Sequence, residues 1–535
     1  MSNSKEADPH PSRWRRFLQY IEVPIDPGVP NTPWLNRDLI PMPKERRTYK
    51  IWSYFIFWCI GGLSISSYTA GSTLLAYGLD ATQAIVTLVI CGLIVGVLCV
   101  TCGWMGERHH IGFTVACRFC WGMRGAYFPV IVRAFVWDGL QAYWGGQAVT
   151  IGAIIPAGGI LLTKDFIGTI IYYIFFMTIM RIPPEGLQKP FIVSCVMFSA
   201  TLIGLLVWAV SNTHSGGPLF QEKASPVRGT GWAMLFGMTA IIGAWSGGTI
   251  GQSDWTRYAN RPYAPTLSQL IAVPFFIIVC ATIGIIVTSC AQEIVGSLIW
   301  EPFLLLAALQ NYYNDSPRGK DNLTVSVGAH FSIGHFFAGL SCVCAQLGMS
   351  IVLNSVSVGM DLSRYINIRR GAYLLAFLGL ASNPWQYLSS ASIFLTVLSS
   401  FGIFFASFSG ILLADYFVVR GCMIKLEDCY IGDKRSIYWY HNGVNWRAPL
   451  AWVLGVFPAM PGFIMTTRDA TAWNVWVRIF HIAFFVGLLI SFVAFSVICW
   501  VSPPGNVGIG VLYHEDNSFE VEGELETEEK EKGPV

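Results

Sequence analysis

Two of the roughly twelve hydrophobic spans in this chain are interrupted by small polar residues. The first runs from about Ile51 to Leu79 and contains Gly61-Gly62-Leu63-Ser64-Ile65-Ser66-Ser67. The sixth runs from about Trp232 into Ser246-Gly247-Gly248-Thr249-Ile250-Gly251-Gln252. A helix in hydrocarbon has to bond its own backbone groups, and irregular backbone at that depth is tolerated only where protein buries it or it lines a cavity. Two broken spans five apart point to a midplane binding site between inverted repeats. The expectation is a secondary transporter.

Composition agrees with a membrane protein: hydrophobic residues make up 53% of the chain, charged residues 12%, and mean hydropathy is +0.52. With about 20 apolar residues per crossing, spans are expected near 51–79, 83–104, 126–156, 167–181, 188–211, 232–252, 267–290, 332–357, 371–383, 385–418, 449–467 and 473–501. The first 50 residues are polar and carry no cleavable signal pattern. With the amino terminus in the cytoplasm, the outer segments hold only Lys164, Lys223, Arg228, Arg318, Lys320 and Arg468, and Arg133 and Arg478 fall inside spans. The remainder of the 34 basic residues is cytoplasmic, an excess that follows the positive-inside rule and places both termini inside. Asn322-Leu323-Thr324, in the long outer loop after span 7, is a glycosylation acceptor pattern that also arises by chance.

The expected domains are a basic amino-terminal arm (1–49), a ten-helix transport core (50–418), a cytoplasmic loop (419–448), two additional helices (449–502) and an acidic tail (503–535). The tail, with Glu520 to Glu531, reads as solvated chain. Its alternative role is docking of sorting or ubiquitin machinery, with Lys530 and Lys532 as acceptors. Cys99-x-x-Cys102 and Cys117-x-x-Cys120 mimic a four-cysteine zinc pattern. Zinc needs thiolates converging from knuckle-like loops, whereas the first pair ends an apolar helix and Glu107-Arg108-His109-His110 reads as a turn. No metal, cofactor or disulfide is expected, and no basic patch suggests nucleic acid.

Span 3 contains Val136-Trp137-Asp138-Gly139-Leu140-Gln141, where Trp137 and Gln141 share a helix face. Trp245 precedes the span-6 interruption, and Asn354 is a second amide in the apolar span 8. Two indoles and two amides suit a planar, uncharged ring with alternating N–H and C=O groups. The competing reading makes the indoles packing or headgroup anchors and the amides helix glue. Asp138, an acid within a span, marks either a proton or substrate path or a structural partner of Arg133. Burial of such an acid moves its pKa toward working pH.

The chain resembles the nucleobase–cation symport-1 family, in particular its fungal uracil/allantoin-permease branch. The resemblance rests on Asn36-Arg37-Asp38-Leu39-Ile40-Pro41, Gln252-Ser253-Asp254-Trp255-Thr256-Arg257-Tyr258, Tyr365-Ile366-Asn367-Ile368-Arg369-Arg370-Gly371, Ser390-Ala391-Ser392-Ile393-Phe394-Leu395-Thr396, Trp439-Tyr440 and Gly443-Val444-Asn445-Trp446-Arg447-Ala448. It implies an all-α integral membrane protein of about 12 transmembrane helices. These form a five-plus-five inverted-repeat core with broken helices 1 and 6, plus two additional helices, working by alternating access. It also implies substrate contacts at Trp137, Gln141, Trp245 and Asn354, and an outer gate at Phe394 and Leu395. Three departures stand out. Gly348 and Met349 occupy places where sodium-using relatives carry hydroxyls, with Ser350 beside them; a hard cation wants oxygen ligands, so sodium coupling is not expected. Asp138 replaces a usual aromatic residue. The link from Asp361 to Tyr365 is short for the branch.

The expected function is proton-coupled import of a small heterocycle across the plasma membrane, with uracil, allantoin or a related nucleobase or hydantoin leading. Thiamine, a pyrimidine nucleoside or nicotinamide riboside is the alternative cargo. A non-transporting nutrient sensor is the alternative of another class. Enzyme activity is not expected, since no paired catalytic carboxylates, metal cluster or usual nucleophile motif is visible.

Overall fold

The structure is a computed structural model of the chain. It describes residues 32, 34–36, 39–134, 144, 147, 161–180, 182, 188–213, 216–221, 226–315, 326–351, 370–371, 373–374, 377–378, 390–469 and 471–505. The described residues are helical, with no strand among them beyond isolated bridges. Span 1 is α1 (Ile51–Gly62) and α2 (Ile65–Ala76), and span 2 is α3 (Ala81–His109). The linker to span 3 folds as α4 (Phe113–Trp121), and α5 (Tyr127–Ala134) begins span 3. Spans 4 and 5 are α6 (Leu161–Ile179) and α7 (Gln188–Asn212). Span 6 is α8 (Thr230–Ile250) followed by the single turn α9 (Ser253–Thr256), and span 7 is α10 (Ala264–Val295). Beyond it lie α11 (Pro302–Asp315), α12 (Ser326–Met349) in span 8 and α13 (Ala391–Leu413) in span 10. Span 11 is α14 (Arg447–Val456) and α15 (Met460–Arg468), bent by 42°, where Pro458 denies the helix a backbone donor. Span 12 is α16 (Val475–His481) and α17 (Ala483–Val501). Among the described residues six helices are long and apolar enough to cross a bilayer, or seven counting the bent pair; span 9 lies largely outside them.

The first interruption matches the expectation and the second differs. Span 1 breaks at Leu63–Ser64, and the Ser64 hydroxyl accepts the Ser67 backbone N–H, restarting the helix as α2. In span 6 the helix continues through Ser246–Ile250 and is interrupted only at Gly251–Gln252. Ser246 donates to the Gly243 carbonyl and Thr249 to the Ser246 carbonyl, so these hydroxyls are satisfied by their own helix without unwinding it. The expected turn at Glu107–His110 is also displaced, because α3 stays helical through His109 and turns at His110, φ 53°. Glu107 accepts from Tyr263 N and Thr266 Oγ1, while Arg108 lies between Trp104 and Tyr263; partnered charges need not leave the helix.

Close crossings built on small residues hold the spans together. Gly62 and Gly71 of span 1 press onto α10, where a Cβ on Gly71 would lie 2.9 Å from the Ala281 carbonyl carbon. Gly92 and Gly96 of α3 receive Pro274 of α10, and Gly243 of α8 meets Gly402 of α13. Small residues spaced this way let backbones approach where lipid supplies no hydrophobic drive between helices. The packing is reciprocal: α3 lies along α10, span 1 packs on α10, and α8 packs on α3. The two cysteine pairs lie buried in α3 and α4. Contrary to the expectation of no disulfide, Cys59 and Cys195 are joined, with their Cα atoms 6.2 Å apart. They sit on spans 1 and 5, which pack side by side and bring these residues opposite one another.

The end carrying most basic residues is closed by linkers. Residues 39–49, just before span 1, run along it: Tyr430 donates to the Leu39 carbonyl (3.0 Å), Met42 N to His110 O (2.9 Å) and Tyr49 N to Tyr258 O (3.0 Å). The 420–448 segment docks on α4 through Asn445, whose Nδ2 donates to the Cys120 carbonyl at 2.7 Å and whose N donates to Trp121 O at 2.8 Å. At the opposite end Arg228 lies over the Trp473 ring, 3.2 Å from His481 Nε2.

Two outcomes follow. Gly71→Val forces a branched side chain against the Ala281 backbone, which cannot yield as a side chain would; a loss of about 1–3 kcal/mol is expected as a lower melting temperature in detergent. His110, in the loop after α3, donates from Nδ1 to the Arg257 carbonyl at 3.1 Å. Burial and then the Arg47 charge lower its pKa to about 4, against the Arg257 carbonyl's opposite pull. The unfolded imidazole, near 6.5, takes up a proton first, so this stability is complete above pH 6.5 and is lost as pH falls toward 4. The loss reaches about 3 kcal/mol at 1.36 kcal/mol per pKa unit. His110→Asn tolerates the left-handed backbone and should flatten that part of the melting profile between pH 7 and 4.5.

Candidate functional site

The two interrupted spans meet through aromatic rings. Trp58 of α1 lies within two turns of the Leu63–Ser64 break, and its ring centroid is 6.1 Å from that of Trp245 on α8, tilted by 47°. Trp58 is fully buried and Trp245 is 5% exposed. Two buried indoles thus meet where the broken span 1 faces span 6. Trp58 was not picked out from sequence, although its place one turn before Gly61-Gly62 is a usable signal. Of the remaining expected contacts, Trp137, Gln141, Asn354 and the intramembrane acid Asp138 lie outside the described residues.

The expected gate residues Phe394 and Leu395 are buried near the start of α13, which Ser390 caps by accepting the Ile393 N–H at 3.2 Å. Phe394 lies between two indoles, with centroid distances of 6.0 Å to Trp144 of span 3 and 5.5 Å to Trp300. The Trp300 carbonyl in turn accepts from Ser72 of span 1 at 2.6 Å. Spans 1, 3 and 10 and the segment after span 7 therefore converge on one aromatic cluster.

Where spans 1 and 8 meet, Gly348 offers no side-chain oxygen and packs against Ile60, whose Cγ2 lies 3.0 Å from where a Cβ would stand. Met349 is buried. The hydroxyl of Ser350 is 2.8 Å from that of Tyr172 on α6, so it shares a hydrogen bond with a span-4 side chain.

Arg133, considered from sequence as a partner for Asp138, donates to Asp254 Oδ2 at 2.7 Å, with both side chains nearly excluded from solvent. Asp254 belongs to the short turn after the span-6 interruption. Arg133 therefore has a counter-charge whatever the role of Asp138. The pairing spans 121 residues of chain, beyond any helical spacing rule.

Residues 41–510 match the family described as permeases for cytosine/purines, uracil, thiamine and allantoin. Among similar proteins, the uracil permease of Saccharomyces cerevisiae is 30% identical, covering 94% of this chain and 82% of that protein. The allantoin permease of the same yeast is 29% identical, covering 88% of this chain and 76% of that protein. An uncharacterized permease of Schizosaccharomyces pombe is 29% identical over 92% of this chain and 84% of its own length. The fold is similar to that of the nucleobase–cation-symport-1 family transporter Mhp1 in a closed conformation with bromovinylhydantoin bound. That comparison has a TM-score of 0.66 at 18% identity, covering 90% of this chain and 98% of that one. With its all-helical membrane fold, this chain belongs to the cytosine/purine, uracil, thiamine and allantoin permease family, a family of membrane transporters and not of enzymes.

Proposed function

We propose that the protein is a proton-coupled importer of a small planar heterocycle, working by alternating access across the plasma membrane with both termini in the cytoplasm. Uracil, allantoin or a related nucleobase or hydantoin is the leading cargo. The observation that carries this reading is the Trp58–Trp245 contact beside the break in span 1, which gathers two indole rings at a helix interruption. The names of the yeast uracil and allantoin permeases support the cargo class. The reciprocal packing of spans 1 and 6 on α10 and α3 supports an inverted-repeat core. In this reading Trp137 and Trp245 sandwich the ring, Gln141 and Asn354 read its amide edge, and Phe394 and Leu395 close the outer side against Trp144 and Trp300. Thiamine and nicotinamide riboside transporters of the same yeast are each 27% identical, which keeps those cargos as the second reading.

The chemistry of span 8 supports a proton over sodium as the coupling ion. Gly348 and Met349 supply no oxygen side chain, and the Ser350 hydroxyl is engaged by Tyr172. Asp138 is the group assigned to carry the proton. The acidic tail is solvated chain in this reading, with docking of sorting or ubiquitin machinery as its alternative role.

Uptake of radiolabelled uracil, competed by unlabelled allantoin, thiamine, uridine and nicotinamide riboside in transporter-deficient cells, tests the cargo. It should persist without sodium and collapse with a protonophore; strict sodium dependence at constant pH contradicts the coupling. Gln141→Ala and Asn354→Ala should each reduce affinity about ten- to hundredfold, the cost of about 1–3 kcal/mol for a buried group left unpaired. Normal affinity in the molecules that reach the surface makes these amides structural. Asp138→Asn should bind and exchange cargo yet fail to concentrate it, read as uptake per surface protein from pH 5 to 8.

A further inference from the structure

The short turn after the span-6 interruption carries a carboxylate that ties three separate elements together. Asp254 Oδ2 accepts from Arg133 Nη2 at 2.7 Å, and Oδ1 accepts from the backbone N–H of Phe113 at 2.8 Å. Phe113 opens α4, whose N-cap residue is Gly112 and has no side chain to cap with; Asp254 caps the helix from span 6 instead. The Arg133 guanidinium also lies 4.7 Å from the centroid of the Phe113 ring. Two glycines make room for this arrangement. A Cβ at Gly251 would collide with the Arg133 guanidinium, and one at Gly112 would stand 2.8 Å from Asp254 Oδ1. The start of span 3, the linker between spans 2 and 3, and the end of the interrupted span 6 thus meet at one buried ion pair.

We propose that Asp254, Arg133 and the amino end of α4 form an inner latch, closed in this conformation, which has to part for substrate to leave toward the cytoplasm. The proposal rests on the alternating-access reading above. A charged pair suits a surface that is alternately mated and wet. While dry, each ion depends on the other and parting is costly; once water enters, both are solvated and the pair has little remaining hold. Apolar side chains at the same junction would resist wetting in the open state. The latch also explains why the interruption falls at Gly251: the residue there has to leave space for the guanidinium arriving from span 3.

The test uses the full chain with Arg133→Gln/Asp254→Ala, which removes both charges together so that no buried ion is left unpaired, takes away the carboxylate that caps α4, and adds no bulky apolar side chain that would resist wetting. Gly251→Ala, which displaces Arg133 without removing a charge, is the second variant. A weakened latch leaves fewer molecules facing outward, and apparent affinity falls with that fraction. Both variants should therefore raise the KM for external radiolabelled uracil about tenfold and speed efflux from preloaded cells, per surface protein. Unchanged KM and efflux in either variant overturn the latch, whatever the surface level. Hydrogen exchange of the α4 amides in purified protein reads the latch without a ligand: protection in the parent and its loss in the double variant are expected. An unprotected Phe113 amide in the parent overturns the proposal. A parent that carries neither uracil nor any competitor overturns the cargo reading instead, and the exchange result then decides the latch.

Discussion

In a lipid setting an unpaired backbone group has no solvent to fall back on, and the arrangement at the core of this protein follows from that constraint. Among the described residues of the core, spans 1 and 6 give up helical continuity, and each does so where other protein atoms cover the exposed groups. At Leu63–Ser64 the serine hydroxyl restarts the helix, and the Ser64 carbonyl accepts the Cys280 thiol at 3.3 Å. At Gly251–Gln252 the interruption is one tight step, occupied from the side by the Arg133 guanidinium. Neither break stands alone. Each requires a neighbour at a fixed depth, and that requirement fixes how spans 1, 3, 6 and 7 lie against one another.

The same demand explains the glycines. Between lipid-facing helices there is little hydrophobic effect to exploit, so contact area and backbone approach carry the association. Gly62, Gly71, Gly92, Gly96 and Gly243 sit at the crossings where side chains would hold the backbones apart. The polar ends are treated differently. There Arg118 donates to the Trp34 and Cys429 carbonyls, and Arg420 pairs with Asp415 at 2.8 Å while also bonding Tyr440 and the Phe119 carbonyl. Arginine's planar fork lets one buried residue join several chain segments at once. Among the described residues, the end that carries most of the basic side chains is therefore a folded, cross-linked surface and not a set of loose loops.

Membrane class, the first broken span and the family were all readable from one-dimensional pattern. They depend on local composition, on spacing along one helix, or on long motif matches. The span-6 break, expected across Ser246–Gln252, occupies only Gly251–Gln252 at the end of that segment; Ser246-Gly247-Gly248-Thr249 looks weak by propensity. The hydroxyls bond back to their own helix, and packing against α13 keeps it intact. Trp58 was passed over because an indole in an apolar span has no local mark of function until its neighbour across the bundle is known. The Gln252–Tyr258 and Gly443–Ala448 motifs identified the family before their use was visible. One contains the interruption and the Asp254 carboxylate, and the other docks the 420–448 segment on α4.

By itself the sequence determined that this chain crosses a membrane many times, where its first span cannot remain one helix, and which permease family it joins. Hydropathy and small polar interruptions act through the immediate chain, so no partner has to be known. Tertiary structure alone decided which charge meets which: Arg133 with Asp254 across 121 residues, and Phe394 between Trp144 and Trp300. Those pairings follow from how separate helices are brought to the same depth, and nothing in the spacing of either residue along its own helix records it. The physical reason is that ion pairing and ring contact depend on distance in space, whereas periodicity reports only which face of a helix a residue occupies.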